Sequence, residues 1–186
     1  WQITATLTMV ILCMWPAWLF LFRDYQKQRI ITLFNPEADK LGAGWNIIQS
    51  KTAIGSGGWS GKGWLEGTQS HLSFLPESQT DFIIAVLAEE WGLRGVLLLL
   101  ALYAMVAARG LWISLRSGRA FARLASAAIT LTFCVYIVVN MGMVAGLLPV
   151  VGVPLPFISY GGTSVVTLML GFGILSAMST ERRVIA

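Results

Sequence analysis

Two stretches of the sequence bring together residue types that could do chemistry. One is Thr80-Asp81, where a polar segment ending in Leu75-Pro76-Glu77 gives way to an apolar run. Thr80 suits a helix start, its hydroxyl accepting from the first free backbone N–H groups. Asp81, in the first turn of such a helix, stands where the helix dipole favours negative charge. A carboxylate is thereby held ionised at a water–lipid boundary, although a plain helix-start role explains the same residue. The other is Gly55–Gly63, GSGGWSGKG. It fails the phosphate-loop template, because Ser56 replaces the first glycine and Gly63 replaces the magnesium-binding hydroxyl. It also fails G-x-G-x-x-G at Ser60. What remains is glycine-rich backbone beside Lys51 and Lys62, which could cradle an anionic headgroup through N–H groups and ammonium charge; a flexible turn is the simpler alternative.

Other chemistries lack their residues. His71 is the only histidine, and Cys13 and Cys134 lie apart in apolar runs, so neither zinc spacing nor a disulfide framework is present. A Ser-His-Asp arrangement has no support. Glu77 lies four residues before Asp81, with Pro76 ahead of it. Glu89 would sit about 80° around and about 12 Å along a helix from Asp81. Glu89 and Glu90 read as buried structural acids facing a partner such as Arg94, since ionised groups at membrane depth are costly.

The elements that must carry these residues are membrane helices. The 186 residues are 56% hydrophobic and 12% charged, with mean hydropathy +0.71, against about 25% charged in soluble domains. An all-α, polytopic membrane bundle of about four transmembrane helices follows. The expected spans are Ile3–Phe22, then a short helix Asp81–Glu90 leading into a span over about Val96–Trp112 (one kinked helix being the alternative), Ala122–Leu148 and Ser164–Met178. Residues 23–80 form a long loop whose tryptophans favour order, with a short surface helix over Gly44–Ala53. Asn140 and the Gly142/Gly146 pair read as helix-packing features. In the proline-rich turn 149–162, Gly161-Gly162 would permit close backbone approach.

Arg109, Arg116, Arg119 and Arg123 cluster in one short loop, which the positive-inside rule places in the cytoplasm together with Arg182-Arg183. The long loop and the proline-rich turn then share the outer face. The chain opens at Trp1 inside an apolar run with no charged segment before it, which points to part of a longer protein.

Four segments in order, DYQKQRIITLFNPEADKLGAG, IIQSKTAIGSGGWSGKGWLEGTQ, LPESQTDFIIAVLAEEWG and GLLPVVGVPLPFISYGGTS, make the chain resemble the SEDS family of bacterial shape, elongation, division and sporulation proteins. The resemblance covers essentially the whole chain and corresponds to the C-terminal part of a single integral membrane domain. Pro154 and Ala88 are similar to elongation-type, rod-shape members; Ile84 departs mildly from the aromatic expected after Asp81-Phe82. The resemblance implies a peptidoglycan glycosyltransferase of the bacterial cytoplasmic membrane, polymerising lipid II on the extracytoplasmic side beside a class B penicillin-binding protein. It implies Asp81 as the essential acid, with the preceding loop helping to build a cavity. Such chemistry needs a base for the acceptor hydroxyl and donors for the departing pyrophosphate. Asp81 is the catalytic candidate, and Lys51, Lys62, Ser56, Gln69 and Glu77 are the substrate-binding candidates. No metal ligand set is assigned; nothing in the sequence decides whether a divalent cation bridges Asp81 and pyrophosphate. No nucleic-acid partner is implied. A lipid-precursor flippase and a non-catalytic scaffold activating its penicillin-binding partner are the alternatives, and residues 1–186 alone are expected to be inactive.

Overall fold

The computed structural model describes residues 1–16, 22–39, 42–68 and 80–180. Regular structure among them is helical throughout: α1 (Gln2–Pro16), α2 (Asp24–Phe34), α3 (Ala43–Gly57), α4 (Ile83–Arg116), α5 (Ala120–Val144) and α6 (Gly162–Thr180), with a 3-10 turn at Pro36–Ala38. Three of these, α4, α5 and α6, are long and apolar enough to cross a membrane. The chain is a multi-pass membrane protein. The expected first span is described only as far as Pro16; its aromatic end over 17–21 lies outside the described residues, as does the Arg182-Arg183 tail. Where described, the loop over 23–80 carries α2, the 3-10 turn and α3. Its second helix is longer than the Gly44–Ala53 segment read from sequence.

α3 packs on α4 and on the end of α5, and Ile47, Ser50, Ala53 and Gly57 form one face at helical spacing, all buried. The Ser50 hydroxyl donates to the Val144 carbonyl at 2.9 Å, tying α3 to the end of α5. The position of Gly57 is dictated by contact, since a Cβ there would strike the Ala88 carbonyl.

α4 is one helix broken at Gly92, whose φ of 67° and ψ of −164° are reached by glycine alone. The break strips backbone groups of their helical partners, and unpaired groups at membrane depth are costly. The 58–63 stretch supplies the partners. The Lys62 and Gly63 amides donate to the Glu89 and Glu90 carbonyls at 3.0 and 3.1 Å, while the Leu93 and Arg94 amides donate to the Gly58 and Trp59 carbonyls at 2.9 and 3.3 Å. The glycine-rich segment is therefore a backbone clasp on the broken helix. Its first residues, Gly55–Gly57, still belong to α3. The anion cradle read from its composition is not what its amides do: those of Lys62 and Gly63 are taken by α4, and that of Gly61 donates to Gly57 at 2.8 Å.

α5 ends in a glycine cap. Gly146 takes φ 68°, its amide donates to Met143 at 3.0 Å, and the Leu147 amide donates to Gly142 at 2.8 Å. This pair of bonds is the Schellman arrangement, so Gly142 and Gly146 terminate a helix instead of forming a helix-packing stripe. The chain then re-enters the bundle. Leu155 and Pro156 are buried, and the Tyr103 hydroxyl, well inside α4, donates to the Pro156 carbonyl at 2.7 Å. Phe157, at φ 63°, joins Phe133 and Phe172 with ring centroids 6.2 and 5.7 Å away. Phe133 also meets Tyr103 and Phe172 edge-on at 5.6 and 5.3 Å. Such pairs add to area burial, and here they lock three helices and the proline-rich segment into one core.

Candidate active site

Asp81 stands just before α4, whose start lies two residues later than the sequence suggested. Thr80, Asp81 and Phe82 form a turn, Phe82 is the N-cap residue, and the helix starts at Ile83. The cause is a competition for one carbonyl. A helix begun at Thr80 would spend the Asp81 carbonyl on the Ala85 amide. That carbonyl instead accepts from Asn140 Nδ2 at 2.9 Å, and the Ala85 amide turns to Phe82 at 2.9 Å. Asn140 is fully buried and makes a second bond, to the Val153 carbonyl at 2.7 Å. Both amide hydrogens are thus used to hold the Asp81 turn against the 150s segment. Its Oδ1 has no hydrogen-bond partner among the described residues.

That segment brings further groups alongside. Gly152 has φ 81°, and a Cβ there would lie 3.1 Å from Asp81 Oδ2. The absence of a side chain at 152 is what lets the half-buried carboxylate lie against the turn. The Lys51 side chain, exposed on α3, lies over Gly146, where a Cβ would meet its terminal carbon and ammonium. The Arg29 guanidinium, on α2, reaches the Val151 carbonyl at 3.4 Å. One carboxylate and two cations from three parts of the chain therefore border the same short stretch, 146–152. Arg29 is separated from Val151 by 122 residues, and nothing in local sequence marks it.

Lys62 is placed elsewhere. Its ammonium pairs with Glu89 Oε1 at 2.6 Å, and the same oxygen accepts from the Thr68 amide at 2.9 Å and the Thr68 hydroxyl at 3.0 Å. Glu89 is fully buried, so the reading of a buried acid with a partner is met, with Lys62 as that partner. Arg94 instead donates to the Ser60 carbonyl at 3.0 Å. Ser56 gives its hydroxyl hydrogen to the Ala53 carbonyl at 2.9 Å, within α3. Gln69, His71 and Glu77 lie outside the described residues. Among the described residues no group of three or more His, Cys, Asp or Glu gathers into a metal-sized site. Gly161 is no point of close approach: a Cβ there would make only ordinary contacts at 3.7 Å and beyond.

The re-entrant segment also borders, through Pro154, a cavity of about 540 Å³ between α5 and α6. Its walls include Ile129, Leu168 and Gly171, with Thr132, Tyr136 and Thr167 adding hydroxyls.

The model of the FtsW, RodA and SpoVE family, described as cell cycle protein, matches residues 1–184. The chain belongs to this family. It is 54% identical over 187 residues to the peptidoglycan glycosyltransferase MrdB of Escherichia coli, covering 100% of this chain and 50% of that protein. It is 42% identical over 160 residues to the peptidoglycan glycosyltransferase RodA of Treponema pallidum, covering 86% of this chain and 37% of that one. The chain thus spans about half the length, or less, of these family members. Among solved structures, a chain of a peptidoglycan synthase complex, described as coordinating polymerization and crosslinking, matches with TM-score 0.78 and 28% identity over 98% of this chain and 49% of its own length. RodA of Thermus thermophilus, solved as an aspartate-to-alanine mutant, matches with TM-score 0.56 and 34% identity over 66% of this chain and 38% of its own.

Proposed function

We propose that this chain is the C-terminal part of a peptidoglycan glycosyltransferase that polymerises lipid II at the outer face of the bacterial cytoplasmic membrane. The observation that carries the reading is the meeting of Asp81, Lys51 and Arg29 along 146–152, in a chain 54% identical to a named peptidoglycan glycosyltransferase. In this reading Asp81 removes the proton from the acceptor sugar hydroxyl as it attacks the anomeric carbon of the donor. The bond from that carbon to the lipid pyrophosphate breaks, and Lys51 and Arg29 hold the charge developing on the leaving group. Both side chains are carried by exposed residues, Lys51 on α3 and Arg29 on α2, which suits groups that move onto a ligand. The cleft beside Pro154 suits a substrate carrying an apolar chain.

Lys62 has a structural part in this scheme, pairing with Glu89 where the 58–63 stretch clasps α4. Gln69 and Glu77, close before Asp81 in sequence, remain substrate-binding candidates, and Ser56 a weaker one. The partner would be a class B penicillin-binding protein, in keeping with the synthase complex that the fold matches. The test is polymerisation of purified lipid II by the intact protein with that partner, wild type against Asp81→Asn. Loss of about 10² or more in rate is the expected result for a positioned acid–base group. Wild-type rate with Asp81→Asn would leave the scaffold reading in its place.

A further inference from the structure

The far end of α4 borders a charged cavity that the proposed reaction does not use. Arg109, Trp112, Arg116 and Ser117 from the end of α4 face Met178 and Ser179 from the end of α6 around a volume of about 240 Å³. The spacing i, i+3, i+7 puts Arg109, Trp112 and Arg116 on one face of α4. Both guanidiniums lie on the Trp112 ring, their carbons 4.4 and 4.0 Å from its centroid. Two like charges are thereby gathered on one aromatic platform. Among the described residues neither has an acidic partner. The hydroxyl hydrogens of the cavity are already spent: Ser117 donates to the Ile113 carbonyl at 2.9 Å and Ser179 to the Ser176 carbonyl at 2.7 Å. Among the donors left for a ligand are the guanidinium N–H groups, whose planar forks match phosphate oxygens.

We propose that this cavity binds the phosphodiester headgroup of an anionic phospholipid, with Arg109 and Arg116 as its ligands. A lipid is favoured over a soluble anion by what flanks the charges. Leu111, Trp112 and Leu115 are exposed on the same helix end, 43%, 42% and 80% respectively. They offer apolar surface to acyl chains where two candidate membrane spans end. Tryptophan beside arginine at such an end is the composition of a membrane interface, and basic pockets between membrane helices bind acidic headgroups. The site goes beyond the polymerase reading and does not rest on it.

The test uses the intact protein in nanodiscs of phosphatidylcholine with or without phosphatidylglycerol, and reads lipid retained after transfer to detergent by native mass spectrometry. Wild type should retain phosphatidylglycerol in preference to phosphatidylcholine. Arg109→Gln with Arg116→Gln should weaken that retention by at least about 30-fold, since each substitution removes charge-assisted hydrogen bonds made directly to the phosphate. Arg109→Lys with Arg116→Lys keeps the charge and loses the fork and the stack, and should weaken it several-fold. Should the glutamine pair not fold, the lysine pair decides by the same direction. Arg119→Gln with Arg123→Gln removes equal charge from the same loop and should change retention by less than about threefold, because diffuse surface charge is screened. An equal loss in this control pair would mean a general basic field and overturn the site. Absence of a phosphatidylglycerol preference, or its displacement by equimolar inorganic phosphate, would overturn the lipid assignment. Polymerisation is not read, so the outcome is independent of the reaction proposed above.

Discussion

Removing the Lys62 ammonium separates a structural lysine from a substrate-binding one. In Lys62→Met the stem is kept and the charge is lost, so the Glu89 carboxylate loses its ammonium partner while the two Thr68 donors remain. Glu89 is 0% exposed and Lys62 28%. Stranding a buried charge costs roughly 3–5 kcal/mol; the partial exposure at Lys62 lets water approach and sets the expectation at the lower end, about 3 kcal/mol. Glu89→Gln keeps an acceptor for Thr68 and frees Lys62 toward solvent, so about 1–2 kcal/mol is expected. The double variant carries no stranded charge and should lie near the milder single, giving a coupling of about 3 kcal/mol. The assay is denaturant unfolding of the intact protein in detergent micelles, run as a four-member cycle, with lipid II polymerisation measured per folded molecule. Polymerisation by the folded fraction of Lys62→Met should stay within about threefold of wild type, well short of the ~10² carried by groups that act on the reacting atoms. A stable Lys62→Met protein that has lost polymerisation would refute the reasoning and return Lys62 to the pyrophosphate.

Four further outcomes are expected. Asp81→Glu keeps the charge and advances it by a methylene, and should recover little of the polymerisation lost in Asp81→Asn, since a shift of about 1 Å can cost ~10² in rate; unfolding measurements on both should show losses of no more than about 1 kcal/mol. Gly152→Ala should cost about 1–3 kcal/mol from its positive φ and crowd the Asp81 carboxylate, whereas Gly161→Ala should be near neutral in both stability and polymerisation; equal effects at the two sites would remove the case for close approach at 152. Asn140→Leu, which removes the donor to two part-buried carbonyls, should destabilise by about 1–3 kcal/mol and slow polymerisation per folded molecule, because the Asp81 turn loses its anchor. Single cysteines at Ser60 and Ser117 should react with an impermeant thiol reagent from opposite sides of the membrane; labelling from one side would overturn the assigned orientation.

The parts of this protein that its sequence determined alone are those governed by local composition and by distance along the chain. Apolar runs of membrane-spanning length over α4, α5 and α6 admit little besides helices, because only intrachain hydrogen bonds satisfy a backbone in lipid. An interruption between Glu90 and Val96 was legible, and Asp81 as a carboxylate held at a helix mouth. Glycine and carboxylate patterns were ambiguous wherever their meaning depended on a remote partner. The same GSGGWSGKG could be a turn, an anion cradle or a clasp, and the carbonyls freed at Gly92 decided it. Gly142 and Gly146 have the spacing of a packing stripe, yet the chain turns at Gly146 and makes them a cap. Lys62 found Glu89 across 27 residues, Asn140 found Asp81 across 59, and Arg29 found Val151 across 122. Contacts at those separations leave no trace in local periodicity. They arise only when burial of the helix faces fixes the relative heights of the segments, and that is where tertiary structure assigned one lysine to the core and left the other beside the candidate site.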